Sequence, residues 1–327
     1  MAFKGIVGQE RILSYLSEAL LKNETPHAYL FEGADGLGKK AVAQQLAMGL
    51  ICTSKIKPCL KCNSCLKVVS GNHSEVKLIE SEGSIKIETI RYLQKEIQLK
   101  PYEGKKKVFI INQAEKMTQQ AQNALLKTLE EPPSYATIIL IVNISSSLLP
   151  TIVSRCQVIK FRPIEIQKIQ DYLIHNKGLS YEESKVIALF SKGIIGNALK
   201  ILEDESFQEK RQLLVDITKE LLRGKTLLAL ENGSLLTSQK NNIQEFLDLL
   251  ASWYRDIMIY KETKEYHFIM NYDKIEEINH QASQVNLNKL KDIIYIIEDT
   301  KTKLKSNVNF QLNMEVMLLK MQEVISW

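Results

Sequence analysis

"GADGLGKK", Gly33 to Lys40, sits between a short apolar run and a helical one, and the fold turns on how it is read. It meets the phosphate-loop pattern G-x-x-x-x-G-K, followed by Ser or Thr, in every place but the last, where Lys40 stands. Gly33, Gly36 and Gly38 let backbone N–H groups approach phosphates, and the N-terminus of the following helix adds a favourable dipole. Lys39 is placed to reach the outer phosphates. "HAYLFEG" before the loop reads as a buried strand, and Lys39 to Leu50 after it as a helix. The competing reading is an ordinary glycine-rich turn that matches by chance.

Beyond the loop, strand-like and helix-like stretches continue to alternate. Val108 to Ile111 is a second strand, and Gln119 to Leu129 an amphipathic helix that stops at Pro132-Pro133. "ATIILIVN" is a third strand and "VIKF" a fourth, so the pattern predicts a parallel sheet with helices on both faces. Past Arg162-Pro163 only helical periodicity remains. It carries stripes such as Ile243, Phe246, Leu247, Leu250 and Leu312, Met314, Met317, Leu318, Met321, broken at "ENGSLLTSQKNN" and "EYHFIMNYDK". The fold class is therefore α/β followed by all-α. The modules are an α/β domain over 1–163, a small helical domain over 164–206 and a helical C-terminal domain over 207–327.

Hydrolysis at such a loop asks for magnesium, held by the loop hydroxyl and by an Asp at the end of a neighbouring strand. Lys40 cannot coordinate a cation. After the apolar run of "VFIINQAE", where Asp-Glu would follow, stand the amides Asn112 and Gln113. Gln113 cannot act as a carboxylate base toward water. The expectation is a loop kept as scaffold or weak phosphate site around a dead active centre, with ATP and Mg²⁺ not turned over by this chain.

Four of the five cysteines crowd into fourteen residues as C-x6-C-x2-C-x2-C: Cys52, Cys59, Cys62 and Cys65. A set of four thiols can close a tetrahedron around Zn²⁺ and leaves no open position, so a structural zinc is expected. Lys55, Lys57, Lys61 and Lys67 offset the charge of a zinc-tetrathiolate; free surface thiols are the alternative. Cys156 is a lone thiol read as packing.

The chain has 327 residues, 45% apolar and 25% charged, with a net charge of +5. These are ordinary values for a soluble protein of two or three modules, and the mild charge allows phosphate-backbone contact without requiring it. Apolar runs such as Ile138 to Val142 fall short of a membrane span, and "MAFKGIVGQERILSYL" lacks the apolar stretch of a signal peptide. A cytoplasmic location with no membrane partner is expected.

Several of these segments together resemble the AAA+ subunits of bacterial clamp loaders. They are "IVGQERILSYLSEAL", "HAYLFEGADGLGKK", the cysteine module, "AQNALLKTLEEPP", "LLPTIVSRCQVIKF" and "GIIGNAL", spread over most of residues 5–200. "NVNFQLNMEVMLLKM" is similar to the end of that family's oligomerising collar. The resemblance implies a hetero-oligomer with gamma/tau-like and delta-like subunits that loads a sliding clamp on primed DNA. It implies that Arg155, within Ser154-Arg155-Cys156, acts in trans on ATP held by a neighbouring subunit, and that Asn143 occupies a sensor position. Motor subunits of the family keep the loop hydroxyl and the acidic strand end, and carry an arginine at the position of Gly196. Departures at Lys40, Asn112, Gln113 and Gly196 favour the delta-prime branch over an ATP-hydrolysing gamma/tau motor. A zinc-ribbon nucleic-acid adaptor is the reading from another class. It would need aromatic residues on the ribbon, and none stands between Cys52 and Cys65.

Overall fold

The computed structural model describes residues 3–224, 243–306 and 308–326. The "ENGSLLTSQKNN" break and Asn307, at the head of "NVNFQLNMEVMLLKM", lie outside the described residues. The chain forms two compact units, Met1–Gly178 with Ser191–Leu199, and Leu179–Phe190 with Lys200–Trp327.

The first unit runs α1 (Glu10–Lys22), β1 (Ala28–Glu32), α2 (Lys39–Ile51), α3 (Asn63–Val69), β2 (Val76–Ile79), α4 (Ile87–Gln98), β3 (Lys107–Ile111), α5 (Gln119–Glu130), β4 (Ala136–Val142), α6 (Pro150–Val153), β5 (Gln157–Lys160) and α7 (Ile166–Lys177). The strands make one parallel sheet in the order β2-β3-β4-β1-β5. Parallel neighbours need crossover connections, and the helices supply them. β1, β3 and β4 are buried along nearly their whole length, which is why they read as unbroken apolar runs. Their side chains alternate between faces. Tyr29, Phe31, Ile139 and Ile141 pack with Leu16 of α1 and Leu46 of α2, while Leu30, Ile138 and Leu140 pack with Ile90 of α4 and Leu125 of α5. Helices thus cover both faces, as the alternation of elements implies.

One strand is additional to the four expected. β2, "VKLI", is a partly exposed edge strand paired only with β3, and its four residues carry too little apolar signal to stand out. α5 begins where Thr118 accepts a hydrogen bond from the Ala121 N–H, and it ends at Glu130 ahead of the proline pair. The sheet order sets the C-terminal ends of β1, β3 and β4 side by side, the usual place for a ligand in an open parallel sheet.

The second unit contains α8 (Tyr181–Phe190), the last residues of α9 (Ile195–Glu203), α10 (Phe207–Leu222), α11 (Ile243–Thr263), α12 (Ile275–Gln284), α13 (Leu287–Leu304) and α14 (Phe310–Ser326). Ile243, Phe246, Leu247 and Leu250 form the buried stripe of α11, and Met314, Met317, Leu318 and Met321 that of α14. Leu312, read in the same stripe, faces away from that core. It is 59% exposed and lies with Val316 and Leu319 on a second apolar face of α14, spaced one and two helical turns apart. The "EYHFIMNYDK" break links α11 to α12. It is pinned by buried Asp256, whose Oδ2 accepts from the Met270 N–H, the Asn271 N–H and the Asn271 side-chain amide at 2.8–3.0 Å. Among the described residues no helix is long and apolar enough to cross a membrane.

Candidate functional site

The glycine loop leaves β1 and enters α2 at the C-terminal edge of the sheet. Gly36 and Gly38 take left-handed backbone conformations, φ +84° and +85°, that other residues adopt only under strain. A cleft of about 490 Å³ opens here, lined by Gly36 to Lys40 and Asn112, with Ile6, Val7, Tyr172 and Leu199 as apolar wall. Lys39 is 5% exposed. Its ammonium donates to the Gly33 carbonyl, to the Ala34 carbonyl at 2.9 Å and to Asn143 Oδ1 at 3.2 Å, with Asp35 at 3.6 Å. Burial pulls its pKa below the usual lysine value, against the pull of Asp35. Asn143, just beyond β4, also donates to Asp35 at 3.2 Å, so it joins the loop to the sheet.

Gly36 is held from behind. Its carbonyl accepts from the Gly196 N–H at 2.9 Å, and a Cβ on Gly196 would lie 2.6 Å from the Gly36 Cα. This close approach of two backbones is the local reason for glycine at 196. A side chain there, an arginine included, requires the loop and the start of α9 to separate.

At the open end of the loop the structure brings together residues from three elements. Lys40 of α2 donates to Glu80 at 2.8 Å, and the side-chain amide of Asn112, just past β3, donates to the same carboxylate at 2.7 Å. The Lys40 hydrogen bond holds the Glu80 carboxyl below its ordinary pKa, so it is ionised at neutral pH. Glu80 is the residue that sequence reading missed; it directly follows β2, the strand that was also missed. Gln113 does not line the cleft. It opens the turn after β3 with a left-handed backbone, φ +52°.

The four cysteines do converge. Their sulfurs all lie within 4.8 Å of one another, with Cys52 and Cys62 at 3.9 Å and Cys59 and Cys65 at 4.0 Å. A tetrahedron with metal–sulfur bonds of about 2.3 Å has edges of about 3.8 Å, so the donor set fits a thiolate-bound metal. Backbone N–H groups of Lys61 and Cys62 pull the Cys59 thiol down to about 6. Burial pushes Cys52 and Cys65 the other way, Cys65 up to about 12. A cation at the centre is what would bring all four to the thiolate form. Cys156 stands apart, packed beneath the sheet, and burial pushes it up to about 12.

Arg155 lies in the turn between α6 and β5, away from the loop. Its guanidinium meets Glu130 at 2.8 Å and donates to the Thr151 carbonyl at 2.9 Å, and its side chain remains 36% exposed. Glu130 closes α5, so the arginine is steered by the "LLKTLEEPP" helix, a pairing no local spacing announces.

Family models described as "DNA polymerase III, delta subunit" and "DNA polymerase III, delta subunit, C terminal" match residues 8–165 and 204–323. The DNA polymerase III subunit delta' of Bacillus subtilis is 32% identical over 320 residues, covering 96% of each chain. The tau/gamma subunit of Haemophilus influenzae is 31% identical over 67% of this chain, and the Bacillus subtilis tau subunit 28% identical over 97%; this chain spans 33% and 61% of their lengths. A gamma subunit-related protein from Thermotoga maritima superposes with a TM-score of 0.47 at 21% identity, covering 96% of this chain and 99% of that one. With the delta' match running nearly end to end on both sides, the chain belongs to the delta-prime subunit family of bacterial DNA polymerase III.

Proposed function

We propose that this chain is a non-hydrolysing subunit of a clamp loader, working with gamma/tau-like and delta-like subunits to place a sliding clamp on primed DNA. The observation that carries the first half of this reading is the group around Glu80. Magnesium takes six oxygens at 2.0–2.1 Å in an octahedron. Here an ammonium and an amide already donate to the Glu80 carboxylate, and an amide stands where the strand-end acid would be. The residues do not fit a magnesium ion, and Gln113 offers no base to activate water. A gamma/tau-type motor would need both.

The cysteine cage is read as a structural Zn²⁺ site, since four thiolates leave no position for substrate. Of the modules 1–163, 164–206 and 207–327, the last is assigned the collar, where subunits associate. The exposed Leu312, Val316 and Leu319 face of α14 supports that role. Arg155 is assigned to a neighbouring subunit's ATP. Its pair with Glu130 is half-exposed and worth about 0–1 kcal/mol, so a γ-phosphate can replace the carboxylate at little cost. The planar fork of the guanidinium then offsets the charge that develops on the transferred phosphoryl group.

Reconstitution tests the whole reading. The isolated chain should show no magnesium-dependent ATP hydrolysis above background. It should co-purify with gamma/tau-like and delta-like partners, and its omission should lower clamp loading on primed DNA. Leu312→Glu combined with Val316→Glu should abolish that co-purification while leaving the chain folded. Magnesium-dependent turnover by the isolated chain would overturn the non-hydrolytic assignment.

A further inference from the structure

Resting on the non-hydrolytic reading of the cleft, we propose that it binds a nucleoside diphosphate without a divalent cation. Lys40 takes the place of the metal, and Glu80 sets how much of its charge the phosphates feel.

The cleft keeps the loop and the start of the following helix, and departs at the metal's ligands and at Gly196. Its glycines hold left-handed turns, and the first turn of α2 leaves N–H groups with no acceptor of its own. Its wall of Ile6, Val7, Tyr172 and Leu199 is apolar and suits a base. Lys39 is fixed beneath the loop by two carbonyls, Asn143 and Asp35. At the rim the Lys40 ammonium lies 2.8 Å from Glu80, and Asn112 supplies a donor rather than an acceptor.

A second cation beside that ammonium is disfavoured by repulsion, and an ammonium has no lone pair to offer it. Phosphate oxygens, by contrast, are the acceptors that a half-exposed ammonium can turn to. A loop of this kind cradles the first two phosphates of a nucleotide, and a third is ordinarily shared with the metal. Here the metal's ligands are missing, so a third phosphate has no metal to share its charge. The arrangement therefore selects the diphosphate.

Calorimetric titration of ADP into the intact chain, in EDTA and in magnesium, tests the proposal. The two Kd values should agree within about twofold, and ATP should bind more weakly than ADP. Lys40→Ser should weaken ADP binding in EDTA by about tenfold or more, the scale of a lost charge-assisted contact. Glu80→Gln should tighten it several-fold, because Lys40 is then free for phosphate. Melting temperatures of both variants should stay near wild type, the pair being half-exposed. Absence of ADP binding, binding that disappears in EDTA, or indifference to both substitutions would overturn the proposal. The non-hydrolytic reading would survive those outcomes; it falls only to ATP turnover.

Discussion

The cysteine cage and the rim of the phosphate loop each gather polar groups from separate stretches of chain, and they balance charge in opposite ways. Cys52, Cys59, Cys62 and Cys65 set four sulfurs within 4.8 Å of one another. Ionising all four in one place demands a positive centre from outside. At the loop, Lys40, Glu80 and Asn112 combine one cation, one anion and one neutral amide within 2.7–2.8 Å contacts, and the group is electrically complete without an ion. A set of donors that repel one another once ionised is suited to a metal. A set that already contains its own counter-ion is not, even when it stands where a metal site is expected.

The sharpest way to break this contrast is to remove metal. Protein purified without chelator should carry about one zinc per chain. Stripping it, or replacing Cys62 with Ser, should cost about 4 kcal/mol, the upper range for a single change, because the remaining thiols lose their shared cation. Thermal melts with and without a strong chelator measure this, and metal-free protein that melts like the native form would erase the contrast. A smaller effect is expected behind the loop. Gly196→Ala puts a methyl group 2.6 Å from the Gly36 Cα, and prying the two backbones apart should cost about 1–3 kcal/mol in denaturant unfolding. An unchanged midpoint would mean that the loop is not held from behind. Smallest of all, Lys40→Ala should change stability by less than about 1 kcal/mol, since its ion pair with Glu80 is half in solvent. A large loss would show that the pair is structural cement rather than a charge kept in reserve.

Much of this was legible in the sequence where the information is local. The loop glycines, the apolar runs of β1, β3 and β4, the Pro132-Pro133 stop after α5 and the cysteine spacing each sit within a dozen or so residues. The family was legible for the same reason, because its motifs are short and chemically specific. What escaped depends on chain pairing. β2 is four residues at a sheet edge with Leu78 partly exposed, so its pattern is faint, and Glu80 went unseen with it. Lys40 meets Glu80 only because β2 pairs with β3 beside the loop, across forty residues of chain. Glu130 reaches Arg155 through the same kind of tertiary accident of order. Leu312 falls in one stripe with Met314 because α14 carries two apolar faces, and periodicity alone does not say which one is covered. Gly196 stood out by its departure from the motor pattern, yet its cause, the contact with Gly36, is visible only in three dimensions.

The proposed division of labour is that this chain's own cleft does not turn over ATP, while its Arg155 serves a neighbour's. The most direct measurement is DNA- and clamp-stimulated ATP hydrolysis by the reconstituted complex carrying Arg155→Ala. Arginine fingers contribute on the order of 10³–10⁵ in rate at the site they serve, and the bulk rate falls by less because the other sites continue. The complex should stay intact, with a clear drop in stimulated hydrolysis and in clamp loading. Arg155→Lys should recover little of the drop, since a point charge lacks the bidentate fork. A complex with Arg155→Ala that hydrolyses ATP and loads clamps at the wild-type rate would contradict that division of labour, and would return Arg155 to a surface residue paired with Glu130.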